Sequence, residues 1–281
     1  MNIKTLNGVS DTELLEVFNL AFSDYFIPLQ LTLDQFQSKL KADQTKLDLS
    51  VGAFENEKLI GFILHGKAKL NCKSVIYNGA TGVIPEKRGR KLTQRMYDFI
   101  LPILRAKSFD HLLLEVISEN HPAIKSYENV GYYSERRLIC FKGELSIAPI
   151  ETIFNIREIS DYNWSVMQSF WDVLPSWQNS RQSIEQLKIQ HKLIGAYSNN
   201  ELIGYLIYHP KTKRMQQLAV CKEYRNKDVA KALVTYLSEN YDKNLSIINV
   251  DETSKSAINF LTGIGLKPFI TQLEMKLKLK S

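Results

Sequence analysis

Near Gly143 the chain begins again, and this repetition limits the fold more than any other property of the sequence. Gly52-Ala53-Phe54 returns as Gly195-Ala196-Tyr197, and Leu59-Ile60-Gly61-Phe62 as Leu202-Ile203-Gly204-Tyr205, both displaced by 143 positions (195−52 and 202−59). Thr32-Leu33-Asp34-Gln35 reads as a capping box and has a counterpart in Ser183-Ile184-Glu185-Gln186. Arg88 corresponds to Arg225 at an offset of 137, and Ala123 and Gly131 to Ala257 and Gly265 at an offset of 134. The order is kept while the offset shrinks, so the second copy has shorter loops. Two copies of long period describe a tandem domain duplication, not a solenoid. The predicted domains are 1–143 and 152–281, joined by a connector that holds Pro149.

Within the first copy, Leu14, Leu15, Phe18 and Phe22 recur at helical spacing over Asp11 to Phe22. The capping box at Thr32 opens a second helix. Val51 to Phe54 and Leu59 to Leu64 read as strands joined by a tight polar turn, and Val75 to Ile84 as a third. A helix over Leu92 to Lys107, a strand over His111 to Ile117 and a helix from Asn120 through Tyr127 complete the copy. Strands and helices so interspersed predict an α/β (α+β) sandwich on a mixed sheet.

Composition removes several function classes. At 44% hydrophobic and 23% charged residues the chain is of soluble globular type. No apolar run approaches ~18 residues, and Met1 to Leu6 lacks the apolar core of a signal peptide, so a cytoplasmic protein without a membrane span is expected. Cys72, Cys140 and Cys221 are scattered without metal-ligand spacing, which predicts reduced thiols and no metal. The net charge of +6 is spread along the chain except for one knot, Lys87-Arg88-Gly89-Arg90-Lys91. That knot suits a small polyanion better than a nucleic acid.

The knot lies where a strand turns into a helix. Free main-chain amides at a helix start receive phosphate, and Gly89 permits close approach. The local residues alone fit equally an ordinary basic turn. The downstream half narrows the choice. Asn120, Ala123, Tyr127 and Gly131-Tyr132 match the pattern Asn-x-x-Ala-x-x-x-Tyr-x-x-x-Gly-aromatic, with Val83-x-Pro85-x-x-Arg88-Gly89 before it. With these motifs the chain resembles the GNAT superfamily of N-acetyltransferases, well in the first copy and more weakly in the second. It thus looks like a tandem GNAT protein, each domain a mixed, mostly antiparallel sheet flanked by helices.

The resemblance implies acetyl-CoA as donor, with its pyrophosphate at the turn Arg88, Gly89, Arg90, Lys91, Leu92 and Thr93, and pantetheine along strand 75–84 near Val83. It implies that Asn120 contacts the donor and that Tyr127 is the general acid for the departing thiolate; the alternative for Tyr127 is a core tyrosine. Glu115, twelve positions earlier, is similar in place to the general base of ribosomal-protein N-terminal acetyltransferases, and alternatively a structural residue. The loop between the first two helices borders the acceptor in this fold, which points to Asp24, Tyr25 and Phe26, alternatively core aromatics. The acceptor is an amine of a small molecule or peptide: a peptide N-terminus, a lysine, a polyamine or an aminoglycoside. No nucleic acid or membrane partner is implied, and a monomer and a homodimer are both open.

There are departures. The family's phosphate loop is usually Gln/Arg-x-x-Gly-x-Gly/Ala, whereas Glu86 and Lys91 hold its first and last places here. In the second copy the turn reads Glu223-Tyr224-Arg225-Asn226-Lys227-Asp228, Asn249 stands for Glu115 and Leu261 for Tyr127. Leucine donates no proton, so the second domain is expected to keep the fold without the chemistry, walling one side of the acceptor cleft. The readings that remain beside acetyl transfer are a non-catalytic acyl-CoA sensor or scaffold, and transfer of a longer acyl or aminoacyl group.

Overall fold

The computed structural model describes residues 1–27, 29–148 and 151–280, so Pro149 of the predicted connector lies outside the described residues. The chain divides into two units, Met1–Glu135 with Leu273–Ser281, and Arg136–Gln272. Each is an α/β (α+β) unit with a mixed, mostly antiparallel sheet flanked by helices, and the duplication is plain in the order of its elements.

Unit 1 runs β1 (Asn2–Thr5), α1 (Asp11–Ala21), α2 (Leu33–Ala42), β2 (Val51–Glu55), β3 (Lys58–Leu70), β4 (Lys73–Val83), α3 (Leu92–Ala106), β5 (His111–Ile117) and α4 (His121–Val130). In α1, Ser10 caps the first turn by accepting from the Glu13 amide, and Leu14, Val17, Phe18 and Ala21 are buried along one stripe. The Thr32–Gln35 capping box of α2 forms in both directions. Asn56 and Glu57 both take positive φ, the two-residue turn that matches strand twist and closes β2 on β3. The sheet order is β1-β2-β3-β4-β5, with the chain's last strand, β12 (Lys267–Lys278), beside β5. β1 with β2, β2 with β3 and β3 with β4 pair antiparallel, and β4 with β5 parallel. Leu112, Leu114 and Val116 of β5 join α3, α4, Met275, Leu277 and Leu279 in one core, while α1 and α2 cover Phe54, Leu59, Phe62 and Leu64 on the other face.

Unit 2 takes the rest of β6 (Tyr133–Glu144) from Arg136 onward, and continues β7 (Asn155–Ile159), α5 (Trp164–Ser169), α6 (Arg181–Gln186), β8 (Lys192–Ser198), β9 (Glu201–His209), β10 (Arg214–Val220), α7 (Val229–Asn240), β11 (Asn244–Asp251) and α8 (Lys255–Gly263). Its sheet order is β6-β11-β10-β9-β8-β7. The expected capping box at Ser183 is not one. The α6 helix starts earlier, capped by Ser180, whose hydroxyl accepts from the Ser183 amide, and Ser183 itself is buried inside the first turn. Trp164 and Trp177 are core residues, while Trp171 is half-buried and donates to Tyr205. No helix among the described residues is long and apolar enough to cross a membrane.

Two buried histidines are expected to make the fold acid-sensitive. His65 is fully buried, Nδ1 against the Leu49 carbonyl at 2.8 Å, and burial pushes its pKa down to about 4. Burial, with His209 beside it, does the same to His191. Between the ordinary histidine value and the folded one, the unfolded chain binds protons that the folded chain refuses, so stability falls as pH drops from ~6.5 towards ~4. We expect a loss of up to ~3 kcal/mol per histidine across that window, measured by denaturant unfolding at pH 7 and pH 4.5. A flat profile, or one unchanged in His65→Gln, would remove His65 from the account.

Candidate active site

The parallel ladder between β4 and β5 is short. It pairs Val75 with His111 through Asn78 with Leu114 and then stops, although β4 continues to Val83 and β5 to Ile117. The main chain of Gly79 to Val83 is therefore bonded to β3 on one edge and, among the described residues, has no strand paired on the other. Such an edge can take an extended ligand by main-chain hydrogen bonds.

A bulge decides which side chains face this opening. Leu64 of β3 opposes Ala80 and His65 opposes Asn78, leaving Gly79 extra. In a regular strand residues three apart point to opposite faces; the extra residue brings Asn78 and Thr81 to the same one. Asn78 Nδ2 lies 2.8 Å from Thr81 Oγ1. The bulge is held from α2, where Lys39 Nζ bonds both Asp43 (2.6 Å) and the Gly79 carbonyl (2.9 Å). A Cβ on residue 79 would stand 2.6 Å from the Asp43 carboxylate, so glycine is required there.

Below the opening is the basic turn. Gly89 has φ +77° with nothing within 4 Å of where a Cβ would be, and Lys91 sits at the start of α3 with φ 55° and no side-chain cap. The first helical bond, from the Arg95 amide to the Lys91 carbonyl, leaves the amides of Leu92, Thr93 and Gln94 without helical acceptors at the positive end of the dipole. These features fit a diphosphate. The cations, however, are differently employed than the sequence suggests. Arg88 is turned away, forked onto Asp24 (2.6 and 2.8 Å) and bonded to the carbonyls of Ala21 and Val83. Arg225 repeats this clamp in unit 2 with Asp172 and the carbonyls of Phe170 and Val220. The clamp belongs to the fold, and it occupies the side chains of both Arg88 and Asp24. Glu55 binds Lys87 and Arg90. Lys91 has no ion-pair partner among the described residues. Its left-handed conformation costs roughly 1 kcal/mol, so Lys91→Gly is expected to raise thermal stability slightly; a fall in the unfolding midpoint would contradict this.

Tyr127 is buried in α4 and stands edge-on to Tyr97 and Tyr132, centroids 6.4 and 5.7 Å away. Burial pushes its phenol up to about 12, with the polar side chains of Thr81 and Asn78 pulling the other way. Tyr25 is close enough to raise it further; burial raises the Tyr25 phenol too, with Asn120 pulling the other way. Asn120 caps α4 by accepting from the Ala123 amide at 3.3 Å. Phe26 is exposed and meets Tyr25 edge-on. Tyr127, Asn120, Tyr25 and Val83 are thus gathered at the opening. Glu115 is not on the same side of the sheet as Tyr127: its neighbours Leu114 and Val116 face α3 and α4, so Glu115 faces opposite, where the Tyr77 phenol donates to it. His111, at the start of β5, is half-buried. Sequence reasoning gave no role to Asn78, Thr81, Tyr97 or Tyr132. Comparing the two copies at core positions would have singled them out, since Met215, Leu218, Val234 and Leu266 stand in their places.

In unit 2 the parallel pair β10–β11 is shorter still, Arg214 with Ser246. Its opening is laced shut by the segment around Asn179. Gln217 of β10 donates to the Asn179 main-chain carbonyl (2.6 Å), and the Asn179 side-chain Nδ2 donates to the Ile248 carbonyl of β11 (2.7 Å).

The sequence pattern of the acetyltransferase (GNAT) family matches residues 13–132 and 156–265. No curated protein matches the chain by sequence. Among solved structures, a tandem GNAT protein from the clavulanic acid biosynthesis pathway is similar over 100% of this chain and 99% of its own, at 12% identity and a TM-score of 0.71. A Pyrococcus horikoshii protein is similar over 99% and 89%, at 16% identity and a TM-score of 0.72. A GCN5-related N-acetyltransferase from Sphaerobacter thermophilus is similar over 100% and 96%, at 12% identity and a TM-score of 0.69. At these identities the likeness is one of fold.

Proposed function

This chain belongs to the acetyltransferase (GNAT) family, and from that premise we propose that unit 1 moves an acetyl group from acetyl-CoA to a primary amine by direct attack in a ternary complex. One observation carries the reading. Strands β4 and β5 part above a turn of amides that lack helical acceptors, and a buried phenol stands beside the opening. The amides of Leu92 to Gln94 and the Gly89 turn would receive the diphosphate, and the free edge of Gly79 to Val83 the pantetheine. Tyr127 keeps its proton at neutral pH and is available to the departing thiolate, whose free thiol titrates near ~8.5.

An amine is mostly protonated at neutral pH and must lose a proton before it attacks. Glu115 faces the other side of the sheet, which suits an acceptor that enters opposite the α3–α4 face. The base is then Glu115 directly or through water. Tyr25 and Phe26 border this entrance, while Asp24 shapes it through Arg88.

The test is thiol release from acetyl-CoA with four probes: a peptide α-amine, a lysine peptide, a polyamine and an aminoglycoside. Release that depends on one of them supports the reading. Binding of acetyl-CoA without release on any of them would favour a non-catalytic sensor. Calorimetry is expected to give one acetyl-CoA per chain, because Asn179 bridges the strands of unit 2. Two per chain would overturn the assignment to unit 1.

A further inference from the structure

The open edge of β4 has a phase, and the bulge sets it. The Ile84 amide donates to the Ile60 carbonyl (3.1 Å), and β3 and β4 pair in step from Gly61–Val83 to Leu64–Ala80. In an antiparallel ladder successive residues point N–H and C=O alternately towards the partner strand and away from it. Gly82 and Ala80 therefore turn to β3 as Ile84 does, while Thr81 and Val83 turn to the open edge. The Val83 carbonyl is taken by Arg88 Nε (3.2 Å), which leaves the Thr81 amide and carbonyl and the Val83 amide for a ligand. Without the extra residue at Gly79 this stretch would slip by one, and Ala80 and Gly82 would stand at the edge instead.

The ion pair that pins the bulge is not explained by stability. Asp43 is buried and the Lys39 side chain largely so. Burial raises the Asp43 carboxyl above the usual carboxylate range, against the pull of Lys39. Taking two charges out of water offsets most of their attraction, so such a pair adds little net stability. Nor is it needed to dock the end of α2, which main chain fastens: the Lys46 amide donates to the His65 carbonyl (2.8 Å), and Thr45 bridges Gly66. The second copy forms the same bulge without it. Pairing of β10 with β9 shifts between Met215 and Gln217, leaving Gln216 extra, and among the described residues no side chain bonds the Gln216 carbonyl. The pair is present where the edge is open and absent where Asn179 bridges the strands.

We propose that Lys39 is a positioning residue for the acyl transfer read above, on which this inference rests. Its ammonium, held by Asp43 at 2.6 Å, grips the Gly79 carbonyl at 2.9 Å and fixes the bulge. The Thr81 and Val83 amides are thereby kept aimed at the pantetheine arm of the donor. Lys39 itself touches no substrate and exchanges no proton in the transfer.

The experiment separates the edge from the turn below it and needs no acceptor. Affinities of acetyl-CoA and of adenosine 3′-phosphate 5′-diphosphate, which has the diphosphate but no pantetheine, are compared by calorimetry. Wild type is expected to bind acetyl-CoA roughly ten- to thirtyfold tighter, the worth of two main-chain hydrogen bonds. Lys39→Met combined with Asp43→Leu removes the pair without leaving a buried charge, and should unfold in denaturant no earlier than wild type. It is expected to lose most of the preference for acetyl-CoA while binding the pantetheine-free compound as before. A preference retained in the double variant would overturn this inference and leave the catalytic reading standing, and so would an equal fall in both affinities. No preference in wild type, or no binding of either compound, would overturn the catalytic reading as well. If the double variant does not fold, Lys39→Gln decides. Its amide still meets Asp43 one turn along α2 but is one carbon short of the Gly79 carbonyl, so the preference must fall.

Discussion

Tyr127→Phe is expected to lower the turnover of acetyl-CoA roughly 10²- to 10⁴-fold, the usual worth of a positioned general acid. The change removes one oxygen and leaves the ring, so the edge-on contacts with Tyr97 and Tyr132 persist and the fold should survive. Loss of the buried hydroxyl costs about 1 kcal/mol of stability. The KM for acetyl-CoA should hardly move, because on the proposed reading the amides at the start of α3 and the free edge of β4 would do the binding. A drop in kcat at constant KM is the mark of an interaction made in the transition state. Unchanged kcat, or a rise in KM alone, would return Tyr127 to the role of a core residue. The duplication lends an internal control, since Leu261 occupies the same place in unit 2 and is buried without a proton to give.

Much of the fold around this candidate site could be read in the sequence, because motif spacing reports local geometry. The Thr32–Gln35 box formed as expected, since a capping box is closed by residues three apart. The strand His111–Ile117 and the helix from Leu92 stand where periodicity put them. What escaped depends on contacts that spacing does not encode. Arg88 was read as charge for a phosphate, but the carboxylate that takes it lies 64 residues earlier, in Asp24. The bulge at Gly79 reverses which face Thr81 occupies, and a bulge is visible only against the partner strand. Ser183 matched a capping box by composition, yet Ser180 had a hydroxyl at the true helix start.

Removal of residues 273–281 is expected to unfold unit 1, although these residues stand more than 130 positions beyond the rest of it. Met275, Leu277 and Leu279 are buried in the core shared by α3, α4 and β5. The Leu279 amide bonds the Asp110 carbonyl (3.0 Å), and Lys280 pairs with the Asp110 carboxylate. Losing three such apolar side chains costs ~2–5 kcal/mol each, a total that matches the whole stability of an ordinary domain at ~5–15 kcal/mol. The strand is also structural in a second sense. Residues 136–144 of β6, which follow α4 directly in sequence, belong to unit 2, so they are not available to fill the place beside β5. Each unit is completed by a strand that the linear order assigns to the other half, and a boundary drawn at 143–152 would cut both. Hydrogen exchange is the discriminating measurement. In the truncated chain the amides of α3 and β5 should lose protection entirely, whereas Leu277→Ala in the full chain should lower it only by the equivalent of ~2–5 kcal/mol. Protected α3 amides in the truncated chain would mean that unit 1 closes its core without the C-terminal strand, and the two-unit division would have to be redrawn.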